Sequence, residues 1–174
     1  HDGAAFNADD AKFSLERAMS KTSNYGVYTQ GIERIVKVDD ATIDVFTNGP
    51  NPVLLRQMTE LRMMDQGWAE KNKSLEPKDI KTKDENFAHR HANGTGPFML
   101  KNWEQDVKLV LVKNPNWWGK AETNLTEIVY TPIKAEATRV AALLSGEVDM
   151  VLDPSPADLP KLRTAANLKV VDGA

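Results

Sequence analysis

Apolar side chains near the start of the chain recur at the period of an α-helix. They fall at i, i+4, i+7 and i+8 and form one face, which consists of Ala11, Leu15, Ala18 and Met19. Asn7 is placed to cap this helix, and Asp9 and Asp10 fall in its first turn, where the helix dipole favours negative charge. The pattern therefore predicts a capped amphipathic helix that begins just after Asn7.

Further along, apolar positions alternate with polar ones, which is typical of β-strands. Two such runs flank Asp39-Asp40 and predict a hairpin, marked by Ile35, Val36 and Val38 and then by Ile43, Val45 and Phe46. Asn51 and Pro52 next predict a helix start, as cap and first helical residue. The buried face predicted for that helix is Leu54, Leu55, Met58 and Leu61. Residues 65–92 are polar and predict a long connection with a short helix near Trp68.

The second half of the chain alternates strand and helix patterns. Residues 98–103 and 107–113 predict an antiparallel hairpin, and residues 127–132 a third strand. A helix ended by Gly146 follows, with an apolar face of Ala137, Val140, Ala141 and Leu144. A strand at 150–152, a helix capped by Ser155 with Pro156 at its first position, and a strand at 168–171 complete the prediction. This order is typical of crossover units in a largely parallel sheet.

Composition and charge narrow the class of protein. Apolar residues make up 41% of the 174 residues, which argues against a disordered chain. The formal net charge is −3 and the lysines and arginines are scattered among acids, so no nucleic-acid partner is expected. There is no cysteine, which excludes disulfides and thiolate metal sites. No apolar run approaches the roughly 18 residues that cross a bilayer.

Glycine and histidine clusters do not form a cofactor or metal motif. The run Gly94-Thr95-Gly96-Pro97 is not a dinucleotide loop, because Met99 stands at the third-glycine position and a strand is predicted to follow. A tight turn is the favoured interpretation of this run, and a hinge is the alternative. His89 and His91 would share one face of a strand, but two histidines are too few for a closed metal site. No cofactor and no metal are expected.

The acidic residues do not form a catalytic pair either. Asp9 and Asp10 are explained by helix capping, and Glu147 and Asp149 flank a helix end. No Ser–His–Asp order and no H-E-x-x-H motif occurs in the sequence. The sequence therefore predicts a protein that is not an enzyme, with no catalytic residue.

Two segments are candidate ligand contacts. Leu152, Asp153, Pro154 and Ser155 lie between a predicted strand end and a predicted helix start, where ligands of open α/β sheets settle. The helix N–H groups would bind a carboxylate and Asp153 an ammonium group, as in a peptide, although capping and turn chemistry explain the same residues. Trp117 and Trp118 would stack against a ligand or, alternatively, pin their loop onto the sheet.

Three blocks of the sequence resemble one known family. They are HDG with FNADDAKFSLERA at residues 1–3 and 6–18, GTGPFMLKNWEQDVKLVLVKNPNWWG at 94–119, and TRVAALLSGEVD at 138–149. In this order they resemble the signatures of the peptide- and nickel-binding family of extracytoplasmic solute-binding proteins of ABC importers. The resemblance implies a mixed α/β fold: residues 1–92 as part of a smaller inserted α+β domain with a long polar connection, and residues 93–174 as part of the first lobe of a type II periplasmic-binding-protein-like fold.

The resemblance also implies a function and partners. The expected role is capture of oligopeptides or a similar small solute, in the periplasm or on a lipid anchor outside the cell, and delivery to ABC permease subunits that are driven by a separate ATPase. The chain is expected to be an internal fragment without the second lobe, to bind peptide weakly on its own, and to self-associate. A solute sensor or chaperone built on the same fold is the alternative. A small hydrolase that uses Asp153 or His89 is a remote one.

Overall fold

The protein is described by a computed structural model over residues 1–120 and 122–172. Within these residues lie α1 (Ala8–Met19), β1 (Ile32–Asp39), β2 (Thr42–Thr47), α2 (Leu54–Met58), α3 (Gln66–Lys71), β3 (Phe98–Glu104), β4 (Lys108–Lys113), β5 (Glu127–Tyr130), α4 (Glu136–Ser145) and α5 (Leu159–Thr164). Short 3-10 turns occupy Gly26–Thr29, Ile80–Thr82 and Phe87–His89. The mixture of helix and strand confirms the predicted mixed α/β class.

Helix α1 begins where its sequence predicts. The Asn7 side chain accepts a hydrogen bond from the Asp9 N–H at 2.7 Å, and the Asp10 carboxylate accepts from the Asn7 N–H at 2.9 Å. This reciprocal pair is a capping box, which satisfies donors that the helix itself cannot pair. Of the predicted apolar face, Leu15 is fully buried, and the other three residues are half-buried.

Strands β1 and β2 form the predicted antiparallel hairpin and supply one wall of the core. Ile35 pairs with Val45, and Lys37 pairs with Ile43. The buried apolar cluster consists of Leu15, Ile32, Ile35 and Leu61. Partly buried neighbours complete it: Ala18, Met19, Tyr28, Ile43, Val45, Leu54 and Met58. The core of this part of the chain therefore lies where α1 and the segment around α2 pack on the hairpin.

Two details of the predicted α2 are wrong. The helix begins at Leu54 with Val53 at the cap position, while Asn51 closes a preceding turn by accepting the Val53 N–H at 3.2 Å. Leu55 is 80% exposed, although it was placed on the buried face. Leu54 and Met58 are spaced i and i+4 on one side of the helix, and Leu55 lies about 100° further around its axis. Leu61 is buried beyond the end of the helix.

The long polar connection contains the predicted short helix, because α3 includes Trp68. Its cap is Asp65, whose carboxylate accepts the Trp68 N–H at 2.5 Å. After it, β3, β4 and β5 form one three-stranded sheet in that order. This confirms the predicted hairpin and third strand, with Asp106 in the left-handed conformation (φ 58°) at the tight turn between β3 and β4.

The described chain divides into two compact units. One contains His1–Trp103 and Leu109–Val129, and the other contains Glu104–Lys108 and residues 130–172. This division reflects which residues pack together, and it does not show which residues belong to the small domain or to the first lobe. The predicted domain boundary near Asn93 therefore stays a prediction.

In the second unit, α4 ends at Gly146 as predicted, with φ at 78°. Its buried face differs from the prediction, because Val140 and Ala142 are buried and Ala137 and Ala141 are exposed. The chain folds back after Gly146, and the Glu147 N–H donates to the Ala142 carbonyl at 2.9 Å. This hydrogen bond holds Glu147 against the turn of α4 that contains the buried Ala142.

The strands predicted at 150–152 and 168–171 are wrong, and so is the parallel sheet, within the described residues. A strand exists only when a neighbour pairs with it, and neither segment is paired there. The helix predicted to begin at Pro156 begins at Leu159 instead. Ser155 closes a separate turn, because its carbonyl accepts the Asp158 N–H at 2.9 Å and its hydroxyl accepts the Ala157 N–H at 3.3 Å.

Among the helices of residues 1–120 and 122–172, none is both long enough and apolar enough to cross a membrane.

Candidate functional site

The run Gly94-Thr95-Gly96-Pro97 is held from two sides by distant residues. The His1 imidazole accepts the Gly94 N–H at its Nδ1 atom (3.1 Å), and its Nε2 atom lies 3.1 Å from the Gly96 carbonyl. The main-chain nitrogen of His1 donates to the Gly94 carbonyl at 2.7 Å. Because Nδ1 accepts, the proton of a neutral ring is on Nε2, where it donates to Gly96.

Asn114 completes this arrangement from the other side. The buried Asn114 donates from Nδ2 to the Gly96 carbonyl at 3.1 Å and from its main chain to the Pro97 carbonyl at 2.8 Å. Two of the blocks that carry the family resemblance thus meet here, since His1 opens the first and the others belong to the second. The contacts are those of a fixed tight turn, and the hinge role of Gly94, Thr95, Gly96 and Pro97 stays a prediction.

The two tryptophans after this turn have different surroundings. Trp117 is half-buried and lies over Gly119, where an added Cβ atom would come within 2.7 Å of the indole atoms Cη2 and Cζ2. Trp118 is 83% exposed. Trp117 thus packs within its own loop, and whether it pins that loop onto the sheet stays a prediction. A ligand contact by Trp118, like that of Trp117, stays a prediction.

We expect Gly119→Ala to destabilise the protein by about 1–2 kcal/mol, because the added methyl group must displace the Trp117 ring. Chemical denaturation would measure the loss as a lower midpoint. Gly49→Ala is the matched control, since a Cβ there meets no atom within 4 Å. Equal midpoints for the two variants would show that Trp117 does not pack on Gly119.

The loop from Leu152 to Ser155 lies in the second unit and is described on its own. Leu152 is 63% exposed, and Asp153 is exposed in the left-handed conformation (φ 48°). The strand end and helix start that motivated this site are absent, as described above, so the expected anion cradle of helix N–H groups does not form there. Ligand contact by Leu152, Asp153, Pro154 and Ser155 stays a prediction, without that support.

His89 and His91 are not arranged as a metal-binding pair. His89 ends a 3-10 turn, and its Nδ1 atom lies 3.1 Å from the Asn86 main-chain nitrogen. His91 instead stacks on Phe87, with ring centroids 3.6 Å apart. Among the described residues, no group of three or more histidine, cysteine, aspartate or glutamate side chains is placed to hold a metal.

A pocket of about 430 Å³ opens in the first unit and was not predicted from the sequence. It lies between α1, the turn before Gly26–Thr29, the segments on both sides of α3, and Trp103. Its lining combines charged and aromatic side chains with apolar ones: Ser14, Arg17, Ala18, Ser23, Asn24, Tyr25, Leu61, Arg62, Met64, Pro77, Lys78, Ile80, Ala88, His89 and Trp103. A volume in this range suits a small organic ligand.

The floor of the pocket is fixed by hydrogen bonds to α1. The Ser14 hydroxyl accepts the Met64 N–H at 2.7 Å, and the Asp10 carboxylate accepts the Gln66 N–H at 2.8 Å. Arg17, one turn along the helix from Ser14, donates from Nε to the Leu75 carbonyl at 3.1 Å. Burial lowers the pKa of the Arg17 guanidinium, and the Glu76 carboxylate partly opposes this shift. Ser14, Arg17 and Met64 line the pocket, so these hydrogen bonds hold part of its wall in place.

The Trp103 wall is also held in place. The Arg90 guanidinium lies 5.2 Å from the Trp103 ring centroid, within the range of a cation–π contact. Glu85 accepts a hydrogen bond from Nε of Arg90 at 2.9 Å. Hydrogen bonding to Arg90 is the main reason that the pKa of the Glu85 carboxyl lies below its ordinary value.

We expect NMR to show Glu85 titrating below the ordinary value of 4.5 and moving back toward it in Arg90→Gln. A carboxyl whose pKa is lowered by folding stabilises the folded state above its ordinary pKa. That stabilisation is lost as the pH falls from about 4.5 through the lower folded-state pKa. Identical Glu85 titrations in the two proteins would contradict the contact.

Comparison with known proteins identifies the family. The sequence profile of "Bacterial extracellular solute-binding proteins, family 5 Middle" matches residues 1–174. Di/tripeptide-binding protein 3 of Pseudomonas aeruginosa is 26% identical over 181 residues, covering 95% of this chain and 32% of that protein. Periplasmic oligopeptide-binding protein OppA of Escherichia coli is also 26% identical, covering 91% of this chain and 31% of that protein.

Solved structures agree with the sequence comparison. NikZ of Campylobacter jejuni, in complex with Ni(L-His), superposes with a TM-score of 0.78 at 21% identity, covering 96% of this chain and 32% of that one. DppA of Helicobacter pylori, in complex with the peptide STSA, gives a TM-score of 0.69 at 30% identity, covering 94% and 33%. The chain belongs to family 5 of the bacterial extracellular solute-binding proteins, and it spans about a third of the length of the relatives it matches.

Proposed function

We propose that the chain is part of the solute-binding component of an ABC importer that captures oligopeptides, or a similar small solute, outside the cytoplasmic membrane. The observation that carries the proposal is the family match over residues 1–174. The names of the relatives support peptides as the solute, since they include di/tripeptide-binding and oligopeptide-binding proteins. Family members are binding proteins, so we propose that no reaction is catalysed here.

We propose the pocket around Tyr25 and Trp103 as the part of the ligand site that this chain supplies. Its volume, its aromatic walls and its fixed floor support the assignment. Trp118 and the loop from Leu152 to Ser155 are further contacts that we propose on the sequence argument alone. Residues 1–92 would then belong to the small α+β domain and residues 93–174 to the first lobe.

A bound ligand would shift the equilibrium of the two-lobed protein from its open to its closed conformation. A ligand favours closure only as far as it binds the closed state more tightly than the open one. Closure about a hinge near Gly94–Pro97 would produce the form that docks on the permease, in the periplasm or on a lipid anchor outside the cell. A separate subunit would hydrolyse ATP, so this chain needs neither a nucleotide nor another cofactor.

Uptake of a labelled tripeptide by the producing cells tests the import proposal. We expect deletion of the gene to abolish uptake and the intact gene to restore it. Unchanged uptake in the deletion strain would contradict import by this protein. Peptide binding by the purified protein together with unchanged uptake would favour the sensor or chaperone alternative.

A further inference from the structure

The pocket defined above is positively charged. Of the described residues that line it, Arg17, Arg62 and Lys78 are cationic, and none is aspartate or glutamate. None of these three cations forms a salt bridge within 4.0 Å to another residue in the described part of the chain, although eight such pairs occur elsewhere in it. Arg62 and Lys78 thus bring positive charge without a salt-bridge partner among the residues that the structure describes, whereas the Glu76 carboxylate acts on the charge of Arg17.

The three cations differ in how much of their hydrogen-bonding capacity is used. Arg17 is half-buried and donates from Nε to the carbonyls of Ser74 and Leu75. Arg62 is exposed and donates from Nη1 to the Thr59 carbonyl at 2.8 Å. This hydrogen bond uses one of the five N–H donors of the guanidinium. Lys78 is exposed at the same pocket. Arg62 and Lys78 are therefore free to meet an anion, while Arg17 is tied to the main chain.

The rest of the lining indicates what accompanies the anion. Tyr25 and Trp103 offer aromatic faces, and Leu61, Met64 and Ile80 add apolar surface. A free inorganic anion would leave this apolar surface in contact with water. The lining instead suits a ligand that carries a carboxylate on an apolar or peptidic body.

We infer that the pocket selects acidic ligands, so that among peptides of equal size it prefers those with a glutamate or aspartate side chain. The inference rests on the proposed function and adds the charge of the substrate. The whole chain has a formal net charge of −3, which repels an anion at long range. The net charge of these residues therefore does not favour acidic peptides, and the preference would arise from the cations of the pocket.

Calorimetric titration of the intact protein with Ala-Glu-Ala, Ala-Gln-Ala and Ala-Lys-Ala tests the inference. Glutamate and glutamine have nearly the same shape, so their difference reports charge. A charge-assisted hydrogen bond predicts a Kd roughly tenfold lower for Ala-Glu-Ala than for Ala-Gln-Ala. Arg62→Gln combined with Lys78→Gln should remove most of this preference. Lys81→Gln, an exposed lysine that does not line the pocket, should keep it.

Each alternative outcome overturns a distinct claim. Equal affinities for the glutamate and glutamine peptides, or a preference that survives in the double variant, would overturn the inference and leave the proposed function intact. Failure of all three peptides to bind would overturn both. Circular dichroism of the double variant verifies that the fold is retained, and we expect it to be, because both side chains are exposed.

Discussion

Leu15→Ala should be the most destabilising apolar truncation in the first unit, with a loss of about 3 kcal/mol in the free energy of unfolding. Leu15 is 0% exposed and belongs to the buried cluster with Ile32, Ile35 and Leu61. Its truncation removes apolar contacts with Ile32 and Ile35 of the hairpin and with Leu61. Because Leu15 is fully buried, the truncation leaves an enclosed cavity. Urea denaturation followed by circular dichroism would measure the loss.

Leu55→Ala is the matched control for that experiment. It removes the same atoms from a leucine that is 80% exposed, so we expect a change within about 0.5 kcal/mol. A loss at Leu55 comparable to the loss at Leu15 would contradict the orientation of α2 and with it the described core.

Asp10→Ala should have the second-largest effect, a loss of about 2 kcal/mol. The Asp10 carboxylate is buried, and each of its oxygens accepts a main-chain N–H, one from Asn7 and one from Gln66. Removal of the carboxylate leaves both part-buried N–H donors without that partner. The Gln66 contact also connects α1 to the segment that lines the pocket, so the variant should weaken ligand binding as well.

Two further substitutions make the Asp10 experiment specific. Asp10→Asn keeps one acceptor oxygen and should lose less stability than Asp10→Ala. Asp84→Ala removes an exposed carboxylate and should be nearly neutral. Thermal unfolding of the four proteins would be compared, and an Asp10→Ala midpoint equal to that of Asp84→Ala would contradict the bridging role.

Short-range signals in the sequence were enough to predict several elements in both units. The Asn7 cap, the β1–β2 hairpin and the end of α4 at Gly146 depend on residues close together in the sequence, so their chemistry is visible in the order of the residues. The same holds for the β3–β4 hairpin. These predictions succeeded because local hydrogen bonds and side-chain period decide such elements. The reciprocal bond from the Asn7 N–H to the Asp10 carboxylate was not predicted.

Features that depend on distant contacts were missed or predicted wrongly. The pocket combines Ser14 with Met64 and Trp103, and no local pattern shows that these residues meet. The predicted strands at 150–152 and 168–171 had a suitable apolar pattern but have no paired neighbour in the described residues. The His1–Gly94 contact joins residues 93 positions apart, and only the family resemblance had suggested that their blocks belong together.

Native mass spectrometry of the protein purified from its producing cells, without added ligand, tests whether it captures peptides. We expect a set of bound species whose extra masses correspond to short peptides, which are released on denaturation and are enriched in glutamate and aspartate. A protein that carries no such adduct, and that acquires none when incubated with a peptide mixture, would contradict the proposal that this chain belongs to a peptide-capturing protein.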